Sequence, residues 1–174
     1  MKKILMVVIA SLGFSSFSYS ESVTRLGLNY VDLEVDETDY TYSWSVDGWG
    51  IALDSAVNEK VLVTLDYFRL DEDGESADFN IISGNYAVGG DLSEGAFTIG
   101  FARSDSDISD GSSTDLEVGY SRRAGGEDID FTLSVVASEE TTIRAKILTP
   151  VGISFGLLTD GDVHLWNLGY DFKF

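Results

Sequence analysis

Along most of this chain, apolar and polar side chains alternate with a period of two. Leu26, Leu28 and Tyr30 are interleaved with Arg25, Gly27 and Asn29, and Trp49, Ile51 and Leu53 with Gly50, Ala52 and Asp54. The same alternation carries Val61, Val63, Leu65 and Tyr67, then Ile82, Tyr86 and Val88, then Phe97, Ile99 and Phe101, then Leu116, Val118 and Tyr120. It continues through Ile129, Phe131, Leu133 and Val135, through Ile143, Ala145 and Ile147, and through Val151, Ile153, Phe155 and Leu157. It closes on Trp166, Leu168, Tyr170, Phe172 and Phe174. A period of two is that of an extended strand, whose successive side chains point to opposite faces. No window holds the 3.6-residue period of an amphipathic helix, and the single proline is Pro150. Ten strands are predicted. The weak pair between Thr142 and Thr159 leaves an eight-stranded count as the alternative.

The connections between these strands form two alternating sets. Short, turn-like ones are expected at 56–59, 89–94, 124–127 and 149–150. Longer, acidic ones are expected at 32–42, 69–78, 104–114, 138–141 and 159–162. Short turns on one rim and long loops on the other are the layout of an up-and-down membrane barrel. An even strand number puts both termini on the turn rim.

Alternation does not say which parity faces inward. A lipocalin-like barrel keeps its apolar parity inside, and a membrane barrel keeps it outside. The polar parity here mixes small residues such as Gly27, Gly50, Gly119, Ser134 and Ser154 with charges of both signs, as a narrow polar lumen requires. The aromatics also sort by depth. Tyr30, Trp49, Tyr67, Phe101 and Trp166 lie toward the loops, and Tyr86, Phe97, Tyr120, Phe131, Tyr170, Phe172 and Phe174 toward the turns. Two such bands fit the aromatic girdles of a membrane barrel.

The N-terminus reads as a cleavable secretory signal over residues 1–20. Lys2 and Lys3 form the positive region, residues 4–14 the apolar one, and Ser18 and Ser20 the small residues before cleavage at Glu21. The apolar run is shorter than the roughly 20 residues of a spanning helix. The barrel is then assigned to residues 21–174.

The other end carries a second signal, Asn167-Leu168-Gly169-Tyr170-Asp171-Phe172-Lys173-Phe174. It resembles the β-signal read by the bacterial barrel-assembly machinery, with Asn167, Gly169, Phe172 and Phe174 at the four signature places. The whole pattern resembles small outer-membrane, porin-like barrels. The resemblance implies a Gram-negative outer membrane as location, with membrane lipid and lipopolysaccharide around the barrel and the assembly machinery as a partner in biogenesis.

Charge narrows the function. The formal net charge is −19, from 30 acids and 11 bases. Loss of Lys2 and Lys3 with the signal leaves nine bases and a net −21. Nucleic acid is excluded as a partner, because phosphate binding needs a basic footprint. With no cysteine and one histidine, thiol chemistry and thiolate or His-rich metal sites are excluded, and no metal site or cofactor is assigned.

On the lumen parity stand Arg25, Arg123, Arg144, Lys146 and Lys173 against Asp54, Asp66, Glu117, Asp130 and Asp171. Paired, these five cations and five anions would plug a narrow bore. Unpaired in water, they would line a selective one. A barrel of about eight strands fills itself with side chains, so a plugged lumen passing at most small ions is expected.

The remaining acids lie mostly in the predicted loops, which makes divalent cations and basic partners candidate ligands there. Asp71-Glu72-Asp73-Gly74-Glu75 has the flavour of a calcium loop but not the spaced ligands of an EF-hand. Some outer-membrane barrels are lipid A-modifying enzymes or omptin proteases, and these need a histidine with acidic or serine partners. Here His164 is the only histidine, its parity faces lipid or headgroups, and Trp166 occupies the place where a deacylase would carry serine. No catalytic residue is assigned.

Overall fold

A computed structural model describes residues 23–36, 43–72, 75–106, 111–124, 128–138 and 141–174. The predicted signal segment lies outside them. The described chain forms ten strands: β1 Val23–Asp36, β2 Ser43–Ala56, β3 Val61–Glu72, β4 Glu75–Val88, β5 Ala96–Ser106, β6 Gly111–Arg122, β7 Asp130–Ala137, β8 Thr142–Leu148, β9 Ile153–Thr159 and β10 Val163–Lys173. Each strand pairs antiparallel with its neighbours in sequence, and β10 pairs with β1 to close the barrel. The eight-stranded alternative is thereby overturned. The predicted weak pair exists as β8 and β9, which hold register from Ile143 opposite Thr159 to Leu148 opposite Ser154.

In three of the predicted long loops, every described residue is strand. β1 runs on to Asp36 and β2 begins at Ser43; β3 and β4 extend to Glu72 and Glu75; β5 and β6 extend to Ser106 and Gly111. At the turn end the correction is smaller: Ile129 and Val151 precede their strands.

The physical reason for the longer strands is a reversal of parity. In β1 the outward residues Leu28 and Tyr30 are exposed while Arg25 and Asn29 are buried. Beyond Tyr30 the inward positions become apolar, with Val31 at 0% and Leu33 at 6% exposure, and the outward ones become Asp32 and Glu34. β3 does the same, going from inward Thr64 and Asp66 to inward Phe68 and Leu70, with Arg69 and Asp71 turned outward. Acidic outer positions suit a wall standing in water, and its inner face needs an apolar core as any soluble barrel does.

The wall is uneven. β1, β2 and β4 have 14 residues each, whereas β7, β8 and β9 have eight, seven and seven. The loop-end rim is therefore high on the side of β1 to β6 and low on the side of β7 to β9.

Candidate functional site in the barrel lumen

The lumen is built in three layers. At the turn end, Ala56, Leu62, Ala87, Leu92 and Ala96 form a buried apolar cluster. Leu92 does not come from a strand. The connection from β4 to β5 folds it beneath the barrel, where it is 1% exposed. Its N–H donates to Glu59 O at 2.8 Å, and its carbonyl accepts from Arg123 N at 2.6 Å. Lys60 Nζ reaches Asp91 at 2.6 Å and clips the neighbouring turn to this one. Gly95, at φ 103°, supplies the left-handed backbone that returns the chain to β5.

The middle layer holds the charges. Arg25 Nη2 meets Asp130 Oδ2 at 2.5 Å with both side chains nearly inaccessible. Asp130 also accepts Ala124 N at 2.5 Å through its other oxygen. Asp54 receives Arg123 Nη2 at 2.7 Å on one oxygen and Lys146 Nζ on the other. Arg144 forks, with Nη2 on Asp66 at 2.8 Å and Nη1 on Glu117 at 3.0 Å. Glu117 is completed by Ser134 Oγ, which donates at 2.6 Å, and Asn85 Nδ2, which donates at 2.8 Å. Ionised groups stay buried only when paired and hydrogen-bonded in this way. The space left among them is about 40 Å³, room for roughly one water or slightly more.

Eight of the ten sequence-predicted lumen charges are brought into this network. Two are not. Lys173 has the right parity but sits exposed at the turn rim, one residue from the end of the chain, where the barrel no longer encloses it. Asp171 is buried, yet no ion pair within 4 Å forms to it among the described residues, and its Oδ2 lacks a hydrogen-bond partner. Its other oxygen fills the space opposite Gly27, where an added Cβ would stand 1.7 Å from it.

Sequence reasoning missed Asn85, Thr64 and Ser83, which complete the layer. Thr64 and Ser83 share a hydrogen bond of 2.7 Å. Their position on the charged parity was the available signal.

The third layer is the apolar one produced by the parity reversal. Val31, Leu33, Val46, Phe68, Leu70, Ile81, Ala102, Val136, Leu158 and Leu165 form one cluster, with Phe68 stacked on Phe79 at 6.2 Å between ring centroids. It was not foreseen, although the switch between Tyr30 and Val31 is visible in the sequence.

Outside the charged layer the barrel is apolar. Leu28, Tyr86, Phe97, Phe101, Leu133, Leu168 and others are exposed. Aromatic contacts run along both edges of this belt: Trp49 on Tyr67 and Phe155 on Trp166 toward the loops, Phe97 on Tyr120 and Tyr120 on Phe131 toward the turns. Charged inside and apolar outside is the arrangement of a membrane-spanning barrel.

The assembly-signature residues close the barrel. Asn167 and Gly169 face inward on β10, opposite Gly156 and Asn29. Gly169 has to be glycine here, because a Cβ would stand 2.0 Å from Asn29 Oδ1 and 2.4 Å from Leu28 O. Phe172 and Phe174 point outward and are exposed, and Phe174 N donates to Thr24 O at 2.9 Å. His164 lies on the outer face between Glu34 and Thr159, bonded to Thr159 Oγ1 through Nδ1 at 2.8 Å. Asp71 and Glu72 end β3 and Glu75 begins β4, with Glu72 paired opposite Glu75, and the two residues between them lie outside the described ones. Among the described residues, no group of three or more carboxylates and histidines could hold a metal ion.

No protein-family model matches the chain, and no curated protein does. Similar solved structures include Neisserial surface protein A, 12% identical with a TM-score of 0.36, covering 88% of this chain and 98% of that one. They also include Ail, the attachment invasion locus protein of Yersinia pestis, 13% identical with a TM-score of 0.35, covering 87% and 99%.

Proposed function

We propose that this chain is a small, non-catalytic outer-membrane barrel whose lumen is closed to solutes. The observation that carries the reading is the layer of ion pairs around Asp54, Asp66, Glu117 and Arg144, which leaves about 40 Å³ between two apolar clusters. A hydrated ion or a sugar crossing the bore would have to break several buried pairs, each costing a few kcal/mol, and pass Leu92 as well. Location in the outer membrane is supported by the apolar belt with its two aromatic edges, by the secretory signal read at residues 1–20, and by the fit of Asn167, Gly169, Phe172 and Phe174 to the assembly signature.

Residues that could do chemistry are arranged otherwise. His164 is on the outer face, bonded through Nδ1 to Thr159 Oγ1 and paired across the strands with Glu34, on the opposite side of the wall from the lumen charges.

The test has two parts. Cell fractionation should place the mature chain in the outer membrane as a heat-modifiable band. Liposomes carrying the refolded chain should not swell in an isosmotic pentose. Swelling at the rate of a general porin would refute the closed lumen, and recovery in the soluble periplasm would refute the membrane reading.

A further inference from the structure

The upper apolar layer does not fill the loop end. Its members come from β1, β2, β3, β4, β5, β7, β9 and β10. Between β4 and β9, across the step from the tall wall down to the short strands β7 to β9, it leaves a cavity of about 740 Å³. That volume is in the range of sites for small organic ligands, roughly 300–1,000 Å³. The apolar walls are Phe79, Ile81, Ala102, Val136 and Leu158. Asp115 and Asp160 also line it, with serine and threonine hydroxyls between them, and Arg144 lies at the inner end.

We propose that this cavity binds a small amphipathic cation, an apolar or aromatic body carrying a protonated or quaternary amine. The apolar walls select against an inorganic ion. Charge selects the sign. Arg144 is already held by both Asp66 and Glu117, in a layer whose four cations are balanced by four anions. The carboxylates of Asp115 and Asp160 then dominate the cavity, and Asp115 is held in place by a hydrogen bond from Ser113 Oγ at 2.5 Å. Phe79, stacked on Phe68, puts an aromatic ring in the lining, and such rings attract cations. The field outside has the same sign, since Glu34, Asp47 and Asp71 stand exposed on the tall wall, and a low-dielectric cleft focuses such a field on an approaching cation. The site goes beyond the closed-barrel reading and uses it only for a floor that keeps the ligand from passing through.

The refolded chain in nanodiscs of zwitterionic phosphatidylcholine, titrated with dansylcadaverine and followed by emission shift and polarisation, tests this. The neutral N-acetyl derivative and the anionic dansyl-aminohexanoate serve as comparators. The cation should bind saturably at one per chain, and the anion should not compete. Asp115→Asn should weaken it about five-fold, the scale of one partly exposed ion pair. Ala102→Phe, which fills the cavity, should abolish it. Heat-modifiable migration reports folding of each variant, and if Ala102→Phe does not fold, Asp115→Asn decides alone. Equal binding of all three probes, or binding that Asp115→Asn leaves unchanged, would overturn the proposal. Conductance without probe reports the closed floor separately, so a leaky barrel and an empty site give different results.

Discussion

Asp130 and Arg25 are the most deeply buried ion pair of the lumen, with side-chain exposures of 1% and 4%. Neither can lose its partner cheaply. Asp130→Ala leaves an uncompensated guanidinium in the barrel and should lower the unfolding free energy by about 3–5 kcal/mol. Arg144→Ala, which takes the cation from Glu117 and leaves Asp66 only Lys146 at 3.8 Å, should cost a similar amount. Replacing both members, Arg25→Met with Asp130→Leu, should restore much of the loss, because an apolar pair of matched volume pays no desolvation penalty. Urea unfolding in lipid vesicles measures all of these. If both single substitutions shift the midpoint by less than 1 kcal/mol, the charges are hydrated as at a surface.

The turn end permits a titration. The Ile129 N–H, and then the Arg122 guanidinium at 2.9 Å, hold the Asp128 carboxyl below the usual carboxylate range. A depressed carboxylate contributes stability that is present above its unfolded pKa and lost as pH falls through the folded one. Wild type should therefore unfold later than Asp128→Asn at neutral pH. The gap should close as pH drops below the ordinary carboxylate range. A gap that widens on acidification would contradict this sign.

At the scale of the strand, the parity reversal makes neighbours in sequence opposite in role. Leu33 is 6% exposed in the lumen, and Glu34 is exposed on the outer wall. Leu33→Ala should destabilise by about 2–5 kcal/mol as a core truncation, while Glu34→Ala should change stability by no more than about 0.5 kcal/mol. The same urea midpoints check it, and the opposite ranking would restore Asp32 to Tyr42 as a loop. On β10, replacing Phe172 and Phe174 by serine should reduce outer-membrane insertion and leave the chain to periplasmic proteases. Normal levels of folded double mutant in fractionated membranes would remove the assembly role.

The ten strands were legible because Leu26 to Tyr30, Val61 to Tyr67 and Trp166 to Phe174 each keep one apolar parity for a full membrane-facing stretch. Their true ends were not, because acidic residues such as Asp32, Asp71 and Asp105 resemble loop residues when only one face is assumed to be apolar. Once Val31, Leu33, Phe68 and Leu70 are read as a second, inward face, the same acids become the outer side of longer strands. The charge network was legible as a set of residues on one parity. Which charge meets which was not, since Arg25 and Asp130 are 105 positions apart and meet across the bore. Nor was the turn lid legible, because burial of Leu92 depends on where the connection after Gly89 folds back.

At the scale of the whole molecule, the Leu92 cluster and the ion-pair layer are two barriers in series along one axis, and the upper apolar cluster narrows the loop end without filling it. Removing Arg144 opens only the ion-pair layer, so its effect on conductance should be small and flickering. Combining Arg144→Ala with Leu92→Ser should add more current than either substitution alone. The central claim is that the intact bore is closed. A planar-bilayer recording of the refolded chain from Glu21 to Phe174 tests it most directly. The account predicts no steady unitary current from wild type, with current appearing in Arg144→Ala. Steady wild-type conductance, unaltered in Arg144→Ala, would contradict it and make the buried charges the lining of a selective pore.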